Sequence, residues 1–149
     1  RAASGALLST TTTTTFTTTT TTRELAVGGR TLLLRQERSA RSGTGGSIWD
    51  CGLALVAFLE EHRDLIRNRR AADIGSGTGV VGLAAAALGA KDVVCADLEP
   101  VANGILSTNV AHNTKNGRLL CCVRVAAYDW NDDDDDPGAP TARSSGMLG

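Results

Sequence analysis

The chain has 149 residues, room for one domain, and its 15 basic and 16 acidic side chains leave a net charge of −1. That balance creates no global field to attract nucleic acid or an anionic membrane. Hydrophobic residues make up 42% but aromatics only 3%, so a core has to be built from Leu, Val and Ala.

Cys51, Cys95, Cys121 and Cys122 show no CxxC spacing, and the two histidines do not complete a zinc set with them, so no metal is expected. Reduced thiols in a cytoplasmic or nuclear compartment are the expectation. No apolar run reaches the length of a membrane span, and the N-terminus lacks a signal-peptide core. The chain starts at Arg1 and its only methionine is Met147, which reads as an N-terminal fragment of a longer protein.

Residues 10–22 are all threonine except Phe16. A run without apolar alternation has nothing to bury against the entropy of ordering, so residues 1–24 are expected to be a disordered tether. Organised sequence begins at Leu25. Leu25-Ala26-Val27, Gly28-Gly29 and Thr31-Leu32-Leu33-Leu34 predict a β-hairpin with a glycine turn. A glycine-rich connector follows, with Ser47 as a candidate N-cap. Ile48, Cys51, Leu55, Phe58, Leu59, Leu65 and Ile66 then recur at helical spacing. Arg63, Arg67, Arg69 and Arg70 gather at that helix's end, where cations complement the dipole.

Ala71-Ala72-Asp73-Ile74 is a short strand candidate, followed by Gly75-Ser76-Gly77-Thr78-Gly79 and an alanine-rich helix over residues 80–88. Val93-Val94-Cys95-Ala96 predicts a second strand ending at Asp97. Pro100 suits a helix start, with that helix running to about Asn113, and residues 119–125 predict a third strand. The alternation is that of a parallel, Rossmann-like α/β sheet. After Trp130 the pattern stops. Residues 132–136 are five aspartates that repel one another, and residues 132–149 are expected to be a disordered, solvated tail.

Glycines at 75, 77 and 79 between strand and helix allow a ligand close to the backbone. Gly77-Thr78-Gly79-Val80-Val81-Gly82 also fits the GxGxxG dinucleotide fingerprint, with Asp97 as ribose acceptor. Asp73 separates the readings. A carboxylate at the loop's mouth repels a dinucleotide's phosphates, whereas S-adenosylmethionine brings an α-ammonium and a sulfonium. Asp97 can accept hydrogen bonds from both ribose hydroxyls, and its structural alternative is a helix N-cap.

These residues resemble a family. Gly46-Ser47-Ile48-Trp49-Asp50, the loop from Asp73 to Gly79, Ala96-Asp97-Leu98-Glu99-Pro100, Asn109-Val110 with Asn113, and Asp129-Trp130 occur in the order seen in the methyltransferase-like 21 group of class I protein-lysine methyltransferases. The match covers residues 25–131, read as an incomplete methyltransferase domain holding the first half of the seven-strand sheet. The resemblance implies S-adenosylmethionine as cofactor and a lysine side chain of a protein as substrate. It implies that Trp49 borders the methionine end, that Gly75, Ser76, Gly77 and Gly79 form the binding loop, that Asp97 holds the ribose and that Trp130 lies beside the adenine. The family's later acidic turn and Asp-x-x-Tyr-like motif have no counterpart here, and no catalytic residue is assigned. A nicotinamide-dependent oxidoreductase and a non-catalytic cofactor-binding module are the alternatives.

Overall fold

A computed structural model of the chain describes residues 7–15 and 18–130. The expected acidic tail therefore lies outside the described residues. Gly28 and Gly29, at φ of +61° and +76°, form the tight turn whose twist suits a hairpin. They join β2 (Thr18–Val27) to β3 (Arg30–Arg38). Alternation along the two strands buries Leu25, Val27, Leu32 and Leu34.

The described part of the threonine-rich run is strand, in contrast to the disordered tether expected from its composition. β1 (Leu7–Thr15) pairs antiparallel with β2, giving the order β1-β2-β3. The ordering comes from ladder hydrogen bonds and from β-branched side chains that are stiff at χ1, not from apolar burial. Thr12 Oγ1 and Thr21 Oγ1, directly opposite, are 3.4 Å apart. The far end of β2 is also held on its other side, where Thr19 pairs with Arg38 and Thr21 with Gln36.

The second sheet is parallel. β4 (Arg70–Ile74), β5 (Asp92–Asp97) and β6 (Val123–Ala127) lie in that order, so β4 is an edge among the described residues. α2 (Val80–Leu88) connects β4 to β5. Its Ala84–Ala87 run is buried, because small side chains let the helix sit close to its neighbours. Gly89, at φ +102°, ends it. The α/β class and the preceding hairpin agree with the sequence reading.

Local differences have local causes. α1 (Asp50–Glu61) is capped at Trp49, whose extended backbone precedes the first turn, and not at Ser47. The helix stops at His62 (φ −117°, ψ 52°), and a short 3-10 turn, Arg63–Leu65, carries the chain onward. After β5 the helix starts as α3 (Glu99–Val101), passes through a π segment, Ala102–Leu106, and resumes as α4 (Ser107–Lys115). Gly104, at φ −104° and ψ −107°, breaks the regular ladder there. β6 begins later than expected, since the chain bends at Leu120 and Cys121, where Leu120 N donates to Ala86 O (3.3 Å) in α2 instead of joining the sheet.

Two buried asparagines join the sheets. Asn113 Oδ1 accepts from Leu33 N (3.0 Å) and its Nδ2 donates to Leu33 O (2.8 Å). Asn109 does the same to Arg35, accepting from N at 2.8 Å and donating to O at 2.9 Å. Each amide thus replaces one rung of a missing strand along the free edge of β3. Their spacing of four residues puts both on one face of α4.

Candidate functional site

The loop between β4 and α2 turns on three left-handed glycines, Gly75, Gly77 and Gly79, at φ +72°, +55° and +81°. Ala96 O accepts from Gly75 N (2.9 Å) and Ser76 N (3.0 Å), holding the loop on the end of β5. Ser76 Oγ donates to Asp73 O (2.6 Å) and lies 3.1 Å from Ala96 O. Its single hydroxyl proton is therefore committed to backbone, and its side chain braces the loop.

Both carboxylates at the strand ends accept from backbone amides, Asp73 from α2 and Asp97 from the loop. Asp73 Oδ2 accepts from Gly82 N at 2.8 Å, in the first turn of α2. Burial raises the Asp73 carboxyl above its ordinary value and Asp97's charge adds to this, while the Gly82 amide acts the other way. Asp97 Oδ2 accepts from Gly77 N (2.7 Å) and Oδ1 from Leu98 N (2.8 Å). Each carboxylate oxygen has two lone pairs, so the Asp97 carboxylate retains acceptor capacity for a ligand.

Trp49, Asp73, Gly75, Ser76, Gly77, Asp97 and Trp130 converge on one cleft of about 630 Å³. Gly79 does not line it. It is packed into the interior, and a Cβ there would lie 2.7 Å from Leu106 Cδ1. Trp130, 65% exposed, places its six-membered ring beside Gly75, where a Cβ would come within 3.6 Å of Cη2. Tyr128 meets the Trp130 ring edge-on at 6.5 Å. Trp49 is 57% exposed, and its Nε1 donates to Thr44 O at 3.1 Å.

One wall was missed in the sequence. The 3-10 turn Gly43–Gly46 folds over the glycine loop, and a Cβ on Gly77 would lie 3.0 Å from Gly45 O. Gly46 has no space for a side chain against Glu37 O and Ser42. The Gly43-Thr44-Gly45-Gly46 run was the available signal, but glycine-rich connectors read equally well as plain linkers. Cys51 and Val101 also line the cleft.

The cleft suits a cationic ligand with a hydroxyl-rich portion. Asp73 and Asp97 face it, and Arg41 is the one basic side chain in its lining. Among the described residues, no helix is long and apolar enough to cross a membrane.

A sequence profile described as lysine methyltransferase matches residues 29–141. The chain is 36% identical over 92 residues to Protein N-lysine methyltransferase METTL21A of Danio rerio, covering 62% of this chain and 41% of that protein. It is 34% identical over 105 residues to EEF1A lysine methyltransferase 3 of Mus musculus, covering 70% and 43%. Electron transfer flavoprotein beta subunit lysine methyltransferase of Rattus norvegicus is 32% identical over 68 residues, or 46% and 27%. The chain thus spans about two-fifths of the length of the first two relatives. The profile match runs from the hairpin turn past Trp130 and takes in the whole cleft, and by it the chain belongs to the lysine methyltransferase family.

Proposed function

We propose that this chain carries the S-adenosylmethionine-binding part of an enzyme that methylates a lysine side chain of a protein. The observation that carries the reading is the pair of carboxylates, Asp73 and Asp97, flanking a glycine loop in one cleft. When bound, S-adenosylmethionine supplies an electrophilic methyl group on a sulfonium. Asp73 would pair with its α-ammonium, and Gly75, Ser76, Gly77 and Gly79 would form the loop that admits it, with Ser76 and Gly79 acting through loop shape. Asp97 would accept from the ribose hydroxyls. Trp130 would cover the adenine with an indole face, and Trp49 would border the methionine end.

The acceptor lysine has to react as the neutral amine. At an ordinary pKa of about 10.4, deprotonating it near pH 7 costs roughly 4.6 kcal/mol. Desolvation or a base must supply that, and no described residue is assigned the task. The four free cysteines support a reducing cytoplasmic or nuclear location.

Calorimetry with S-adenosylhomocysteine tests the cofactor, with NAD as the control ligand. Binding of the first, with a change in tryptophan emission that Trp49→Phe diminishes, is the expected result. Binding of NAD in preference would restore the oxidoreductase reading, which the Gly77–Gly82 fingerprint alone supports.

A further inference from the structure

We propose that the hairpin face bearing Arg23 and Arg38 is an anion pocket that docks an acidic segment of the protein to be methylated. The identity of the partner rests on the lysine methyltransferase reading, whereas the anion chemistry does not.

Pairing of Thr19 with Arg38 and of Thr21 with Gln36 puts these residues and Arg23 on one face of the β2–β3 ladder. Ser47 and Ile48 wall off that face, leaving a pocket of about 310 Å³ with no acidic side chain in its lining. The pocket is rich in donors. Gln36 Oε1 is taken by Ile48 N at 2.7 Å, which leaves its amide NH₂ to face a ligand. Arg23 Nε is buried and has no hydrogen-bond partner among the described residues. Neither Arg23 nor Arg38 belongs to an ion pair among those residues. A buried guanidinium donor without an acceptor is costly, and a carboxylate, which can engage the fork with both oxygens, removes that cost.

The pocket's place suggests what brings the carboxylate. A neighbouring hollow of about 480 Å³ shares Arg38 and Ser47 with it, and shares Gly43, Thr44 and Trp49 with the methyl-donor cleft. The three adjoin through these shared lining residues. An extended peptide with its lysine at the cleft would lay acidic neighbours on Arg38 and Arg23.

The test uses the 149-residue chain and a fluorescein-labelled peptide in which glutamates flank a central lysine, with a glutamine counterpart as control. Fluorescence anisotropy should show that the glutamate peptide binds more tightly, and less so as ionic strength rises. Arg38→Gln, on the exposed end of β3, should weaken it about tenfold, and Arg23→Gln at least as much. S-adenosylhomocysteine affinity should be unchanged in both variants, which also shows that they fold. Equal binding of the two peptides, or an undiminished acidic-peptide affinity in Arg38→Gln, would overturn the proposal. So would occupation of the pocket by inorganic phosphate with no preference for the acidic peptide. If S-adenosylhomocysteine fails to bind wild type while the peptide pattern holds, the cofactor reading fails and the anion pocket stands.

Discussion

The amide of Gly77 donates to Asp97 Oδ2 across 2.7 Å, so the carboxylate at the end of β5 holds the glycine loop it faces. Ligand recognition and loop shape therefore share one side chain. Asp97→Ala removes a charged acceptor from the ribose position and frees the loop. Its expected cost in S-adenosylhomocysteine affinity is about 1.5–3 kcal/mol, on the order of ten- to a hundredfold. Equal calorimetric affinities for wild type and variant would remove Asp97 from the ribose role.

Asp73 predicts opposite pH trends for stability and binding. Burial first, and then Asp97's charge, put its folded carboxyl above the ordinary value of 3.8. The native state then holds a proton more tightly than the unfolded chain. Stability from this group is greatest below 3.8 and is lost as pH rises toward the raised value. An α-ammonium partner favours the ionised form, so affinity should rise with pH through that same window. Asp73→Asn should flatten both trends, weaken the ligand, and leave the unliganded melting temperature equal or higher at neutral pH. Thermal melts and titrations across acid pH check this. A variant that loses stability at neutral pH yet keeps its affinity would assign Asp73 a structural role only.

Asn109 is the hub linking the hairpin, α4 and the glycine loop. Besides its pair of bonds to Arg35, its Nδ2 donates to Thr78 O at 2.9 Å. Asn109→Asp keeps the shape but removes both donations, placing a carboxylate against two carbonyl oxygens. A loss of about 2–4 kcal/mol is expected in urea unfolding, from stranded acceptors and a buried charge. Asn109→Ala should cost less than Asn109→Asp. The reverse ranking would show that shape and not hydrogen bonding matters at this position.

The cysteines should separate by environment. Burial, with Asp73's charge adding to it, pushes the Cys95 thiol up to about 12. Cys51 and Cys122 are exposed. Iodoacetamide at about pH 8 should label those two and spare Cys95 until the protein unfolds. Cys51 lines the cleft, so S-adenosylhomocysteine should slow its labelling and leave Cys122 unaffected. Mass spectrometry of the digested protein gives the readout.

How much was legible follows from how local each signal is. The Gly28-Gly29 turn, α2 with its Gly89 stop, and the glycine loop each declare themselves within a few residues. The structure brings seven of the eight named site residues to one cleft. Gly79 lies outside the cleft's lining, and a GxGxG pattern does not say which glycine faces a ligand and which permits Leu106 to approach. The threonine strands differ from the expected tether because their order comes from pairing, β1 with β2 and β2 with β3, information that a run of one residue type does not carry. The Arg23 pocket likewise exists only once the register places Arg38 and Gln36 beside it.

The last prediction concerns β4. Among the described residues it pairs with β5 alone, so one side of Arg70–Ile74 offers free backbone groups. Ile74, at its end, is 38% exposed, and Phe58 on α1 and Leu65 on the 3-10 turn are exposed as well, at 46% and 52%. An open strand edge without proline is a template for pairing, and exposed apolar side chains add a driving force. The 149-residue chain should therefore self-associate as concentration rises, which sedimentation velocity would record. Ile74→Lys should shift the population toward monomer, since a charge at the edge opposes strand pairing. Such a chain is expected not to transfer labelled methyl groups to protein lysine, because no described residue is assigned to neutralise the acceptor amine. A monodisperse monomer at high concentration would overturn the edge argument. Methyl transfer above an Asp73→Ala control would show that these residues alone complete a catalytic site.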